Sequence, residues 1–136
     1  MKKLIIIVAL AAIAKFSFAQ QLQKGNLVGV HVMTVTLKPG ITMEQFKTYY
    51  VSEVIPAYEN AFTGVKGFLL EARRGENKDQ LGILWYFNSE SDRDKYFAGE
   101  DFTEAGKEAS SKTAEIDKKT ETIATVNTTF TDWVLQ

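Results

Sequence analysis

His31 is the single histidine in the 136-residue chain, and its side chain is the one whose ordinary pKa lies close to neutrality. It falls in the run Leu27–Leu37, in phase with Met33 and Val35. A histidine in that setting can act as a general base or orient a phenolic substrate; it can equally be a core imidazole hydrogen-bonded to a neighbour. Trp85 and Phe87 share one phase of a second apolar run. Tyr50, Tyr58, Tyr96 and Phe97 lie on the segments expected to cover them. Together these rings can line an aromatic pocket with hydroxyl groups at its edge, suited to a planar or acyl ligand. The same rings can be ordinary core packing, because large aromatics dominate small cores. Glu71, Arg73 and Arg74 end a strand, where two arginines can clamp a carboxylate or simply solvate an edge. One histidine and no cysteine leave only an all-carboxylate metal site, and the acids do not cluster for one. No phosphate-binding glycine loop and no nucleophile elbow occur.

The elements that must position these residues read clearly. Leu27–Leu37 is apolar and β-branched on both alternating faces, the pattern of a strand buried on two sides. Lys38-Pro39-Gly40 makes a turn, and Thr42 with Gln45 forms a capping-box signature. The helix that follows carries Phe46, Tyr50, Val54, Tyr58 and Phe62 as one apolar stripe. Pro56 is expected to kink or divide it near Ser52–Pro56. Val65–Arg74 and Gln80–Asn88 read as a β-hairpin around Gly75–Asp79. Ser89 caps a second helix expected to run to about Gly99, with Asp92, Arg93, Asp94 and Lys95 as an exposed face with local pairing. Glu100–Thr122 reads as a polar, solvent-facing helix broken at Gly106. Ala124–Leu135 closes the chain as a threonine-rich strand.

The order β-α-β-β-α-β predicts an α+β, ferredoxin-like fold with a four-stranded antiparallel sheet and helices on one face. Val28, Val30 and Val32, with Leu84 and Tyr86, form an apolar set on the opposite phase from the pocket residues. A bare face of that size is an association surface, so a homodimer packed sheet to sheet is expected.

Lys2 and Lys3, the apolar stretch Leu4–Ala14 and the site Ser17-Phe18-Ala19 predict a cleaved signal peptide over residues 1–19. Eleven apolar residues are too few for a bilayer span of about 20. Residues 20–26 then form a polar leader and 27–136 a single domain, exported to the periplasm or the medium and not held in a membrane. Removing Lys2, Lys3 and Lys15 from sixteen basic residues leaves thirteen against seventeen acidic ones, a charge of −4. That balance, without a basic cluster, argues against nucleic acid and anionic membrane partners. Without cysteine an oxidising compartment offers no disulfide, so packing and association must supply stability.

Val35–Gly40 leading into the first helix, Gly64–Gly67 entering the second strand, Trp85–Ser91 leaving the third, and Asp101–Ala105 after the second helix together resemble the dimeric α+β barrel superfamily, specifically its antibiotic-biosynthesis-monooxygenase-like group. The resemblance implies that the phase of His31, Met33 and Val35 faces the helices and a pocket. It also implies a homodimeric barrel and no cofactor. The haem-degrading branch places an asparagine, a tryptophan and a haem-ligating histidine at positions that pair here with Met33, Phe87 and Gly106. None matches, and haem iron without an axial ligand has no protein handle.

The expected function is binding of a small apolar or aromatic ligand by His31, Met33, Tyr50, Trp85, Phe87 and Tyr96. The alternatives are a cofactor-free monooxygenase or isomerase with His31 as catalytic base, and a protein-interaction module without a pocket.

Overall fold

Residues 22–136 are described by a computed structural model; the expected signal peptide and the first two residues of the leader lie outside them. Strand β1 (Leu27–Leu37) runs between β3 (Leu81–Phe87) and β6 (Ala124–Val134), antiparallel to both. Strand β2 (Lys66–Glu71) pairs with β3, giving the sheet order β2-β3-β1-β6. The two inner strands carry the near-continuous apolar runs. This topology is the ferredoxin-like α+β fold, with a four-stranded antiparallel sheet.

The capping box forms as the sequence predicts. Thr42 Oγ1 accepts from the Gln45 amide at 3.2 Å, and Gln45 Oε1 accepts from the Thr42 amide at 2.8 Å. Helix α1 (Met43–Tyr49) passes through a π-helical turn, Tyr50–Val54, into α2 (Ile55–Ala61). The expected division near Pro56 thus takes the form of a π turn rather than a break. Pro56 sits in the first turn of α2, where a missing amide hydrogen costs least, and the Ile55 amide donates five residues back to Tyr50.

Two expectations fail beyond β3. Ser89 does cap a helix, its Oγ accepting from the Asp92 amide at 3.1 Å, but α3 covers only Glu90–Asp94. The chain then turns through Gly99, at φ +68°, so that β4 (Phe97–Ala98) and β5 (Asp101–Phe102) form a small hairpin. The hairpin brings Phe97 to 5.2 Å from Phe102 and 6.1 Å from Phe62, contacts that a continued helix would forgo. Helix α4 (Glu104–Ile123) is unbroken at Gly106. That glycine lies in its first turn, where its amide donates to the capping Thr103 Oγ1 at 3.1 Å. A Cβ there would lie 2.0 Å from the Tyr96 carbonyl oxygen, so glycine serves close approach rather than a break.

The helices lie on the face of the sheet formed by the odd-numbered residues of β1. Leu27 and Phe87 join Phe62, Val65 and Tyr96 in one buried cluster; Met33, Leu81 and Ile83 join Phe46 and Ile55 in another. The opposite face holds Val28, Val30, Val32, Leu70 and Leu84 half-buried, with Phe68 51 % and Trp133 61 % exposed. Tyr86 departs from the expected set: it is 3 % exposed within one chain, flanked across the ladder by Val28 and Lys66. Its hydroxyl donates to Asn88 at 3.3 Å.

Alanine is about 1 kcal/mol better than glycine inside a helix, yet Gly106→Ala is expected to lower stability, by about 1–3 kcal/mol of overpacking. The added methyl displaces the Tyr96 carbonyl, which also accepts from the Thr103 amide at 3.0 Å. Urea denaturation measures this. Ser111→Ala, on the exposed part of the same helix, should stay within about 0.5 kcal/mol of wild type.

Candidate functional site

Between the two clusters β1 places Gly29 and His31, and there the helix-facing layer opens. A cavity of about 210 Å³ occupies the interval, lined by His31, Tyr58, Trp85, Phe87, Phe97 and Phe130 among others. Its floor is one rung of the sheet, which reads Gly67, Trp85, Gly29, Asp132 from edge to edge. Each glycine yields its side-chain space to a neighbour. A Cβ at Gly67 would lie 2.4 Å from Trp85 Cζ3, and one at Gly29 would lie 2.8 Å from Asp132 Oδ1. Interior strand glycines mark such approaches.

Tyr58 stacks on the Trp85 ring at 5.5 Å and donates its hydroxyl to Asp117 Oδ1 at 2.8 Å. The second oxygen of Asp117 accepts from Thr113 at 3.0 Å. Burial first, and then the neighbouring carboxylate, pushes the Tyr58 pKa up, so the phenol stays protonated and its ring stays anchored. His31 stacks on Phe130 of β6 at 5.2 Å with 23° between the planes. Desolvation holds its pKa below the ordinary 6.5, against the opposing pull of Asp132. The imidazole is therefore neutral at pH 7, presenting one donor and one acceptor nitrogen. Arg93 completes the wall: its Nε donates to Asp132 Oδ2 at 3.0 Å, and its guanidinium carbon lies 4.9 Å from the Phe97 ring centre. Only 13 % of that side chain is exposed. Among the described residues no group of three or more metal-ligating side chains gathers.

Of the six residues read from the sequence as ligand-binding, His31, Trp85 and Phe87 line this cavity and three do not. Met33 is 1 % exposed, packed with Phe46 of α1 in the second cluster, and neither residue lines the cavity. Tyr50 leans on Phe46 at 5.2 Å and borders a separate groove beside Asp117 and Thr120; burial raises its pKa to about 12. Tyr96 is core, edge-on to Phe62 at 5.2 Å and donating its hydroxyl to the Thr63 carbonyl at 3.2 Å. Arg93, expected on an exposed helix face, turns inward, and Asp132, Phe130 and Phe102, which the sequence pattern does not mark as site residues, join the lining. The available signal was Gly29 and Gly67, which fall opposite Trp85 once the strands are registered. Arg73 is exposed and pairs with Glu71 at 3.3 Å, the solvated-edge alternative.

No family model matches the chain, and no curated protein sequence does. Among solved structures it is similar to a dimeric protein of unknown function and ferredoxin-like fold from Bacteroides fragilis, with 13% identity and a TM-score of 0.42 over 82% of this chain and 98% of that one. It is also similar to part of a VAO-type flavoprotein from Myceliophthora thermophila, with 15% identity and a TM-score of 0.37 over 80% of this chain. The match spans 19% of that longer protein.

Because His31 is the single histidine, its C2 proton in an NMR titration reports one group. The midpoint is expected below 6.5, and lower still in Asp132→Asn, which removes the field that raises it. The unfolded chain takes up this proton near pH 6.5 while the folded chain does not. The native state is thus favoured above that pH and loses stability as pH falls from 6.5 toward the folded pKa. Between pH 7.5 and 5.5 the wild type should lose more stability than His31→Gln. An equal loss, or a midpoint above 6.5, would contradict the assignment.

Proposed function

We propose that the chain is an exported, homodimeric α+β barrel protein of the antibiotic-biosynthesis-monooxygenase-like group that binds a small apolar or aromatic molecule between its sheet and its helices. The observation that carries this reading is the ring-lined cavity left open between two otherwise closed core clusters. Its walls are mostly aromatic, with a few polar groups, His31, Arg93, Glu100 and Asp132, among them, the usual composition of a small-molecule site. A protein-interaction module needs no such cavity. Export follows from the Lys2-to-Ala19 pattern. The dimer is supported by the apolar outer sheet face, since burying one Val or Leu is worth about 1.5–3 kcal/mol and no helix among the described residues covers that face.

A neutral His31 on the cavity wall also favours the second reading, a cofactor-free oxygenase or isomerase in which His31 removes a proton. His31→Ala separates the two. A binding protein keeps its fold and most of its ligand affinity, whereas an enzyme keeps its fold and loses turnover.

Trp85 floors the cavity and Trp133 is exposed on the opposite face, so intrinsic fluorescence locates a ligand. An aromatic ligand should quench wild type and Trp133→Phe alike, and should leave Trp85→Phe unaffected. A response confined to Trp133 would contradict the pocket reading.

Sedimentation of residues 20–136 at micromolar concentration should give a dimer, and Val30→Asp should aggregate or unfold. A well-folded monomer would remove the barrel.

A further inference from the structure

The charge balance of the cavity selects among aromatic ligands. Three charged side chains line it, Arg93, Glu100 and Asp132. The one cation is already committed. Arg93 Nε donates to Asp132, its terminal nitrogen lies 3.7 Å from Asp94, and its planar face covers Phe97. Two carboxylates therefore share this guanidinium, and little of it remains for an incoming anion. Glu100, at the exposed hairpin turn, has no ion pair among the described residues. Asp132 engages Arg93 through Oδ2, while Oδ1 fills the space above Gly29 on the cavity floor.

The remaining walls are ring faces and edges. Tyr58 and Trp85 stack on one side, and Phe62, Phe97 and Phe102 pack together on another. Ring faces carry a negative quadrupole that attracts organic cations. An excess of carboxylate over cation at the mouth of a low-dielectric cavity attracts the same charge and repels an anion. Size sets a further limit. An apolar cavity of about 150 Å³ holds benzene, so about 210 Å³ admits one ring with a short arm.

We propose that the ligand is an arylalkylamine-type molecule: a single aromatic ring held among Tyr58, Trp85 and Phe97, bearing a protonated amine directed toward Asp132 and Glu100. This rests on the ligand-binding reading above and narrows it to one chemical class.

Three isosteric probes test it: 3-phenylpropan-1-amine, 3-phenylpropan-1-ol and 3-phenylpropanoate, titrated at pH 7.5 into Trp133→Phe while Trp85 fluorescence is followed. The amine should bind at least about tenfold more tightly than the carboxylate, with the alcohol between them, and added salt should narrow the gap. Glu100→Gln, an exposed change that leaves the Arg93–Asp132 pair intact, should weaken the amine about threefold and leave the alcohol unchanged. Equal affinity for all three probes, or tightest binding of the carboxylate, would overturn the cation preference and leave the pocket reading standing. Absence of a Trp85 response to every probe at millimolar concentration would overturn both.

Discussion

Trp85 is the residue on which both the packing and the cavity depend. Among the described residues it is the one strand residue that packs against both buried clusters, and its ring occupies the space that Gly67, its partner on the rung, leaves by having no side chain. Burying an aromatic side chain removes about 150–250 Å² from water. At about 25 cal/mol/Å² that is worth about 4–6 kcal/mol, and a half-buried indole keeps a good part of it. Each strand glycine costs only about 0.5–1 kcal/mol. The exchange favours a large ring laid across the empty position at Gly67 over two medium side chains standing upright. On the other side of the rung Gly29 gives its side-chain space to Asp132 Oδ1, and the cavity opens beside it.

What borders that cavity is settled by the side chains that Trp85 and the glycines admit. Ile55 Cγ2 would lie 2.9 Å from a Cβ at Gly67, so the indole is gripped from the helix side as well as by Tyr58. Across the rung, Asp132 reaches over Gly29 and draws in Arg93, which flattens on Phe97. This explains why the chain abandons helix α3 after Asp94. A helix continued to Gly99 would carry Phe97 on a helical surface, whereas the β4–β5 hairpin seats it under the guanidinium and against Phe62. The ion pair is half-buried rather than exposed, and so is worth more than the surface pairs along α4.

The sequence was most informative where a local rule acts alone. The Thr42–Gln45 capping box, the Ser89 cap and the hairpin loop at Gly75–Asp79 are all decided by neighbouring residues. Alternation also placed His31, Trp85 and Phe87 on one face. It could not separate His31 from Met33, because strand phase gives the face and says nothing of what lies above it. Met33 packs with Phe46 in the second cluster, while His31 lines the cavity. Tyr50 and Tyr96 fail for the same reason, since both point inward but toward different neighbours. Gly106 reads as a helix breaker by propensity, yet it is a contact glycine whose partner, the Tyr96 carbonyl, lies ten residues earlier. The Gly29 and Gly67 positions gain their meaning only after the strands are registered around Trp85.

Strand β6 ties the two faces of the sheet together. Its residues alternate between them: Phe130 and Asp132 face the cavity, while Thr129, Thr131 and Trp133 face outward, opposite Val32, Val30 and Val28. It is an edge strand of eleven residues, and its threonine-rich sequence does little by itself to fix its pairing. A slip of one residue would exchange the two sets, sending Asp132 to the apolar outer face and Trp133 or Thr131 into the cavity. The Arg93–Asp132 pair and the space above Gly29 accept only one of these registers. The Asp132 carboxylate enters where Gly29 has no Cβ. The polar wall of the cavity therefore also sets which side of β6 the outer sheet face presents, so the cavity and the outer face depend on the same contact.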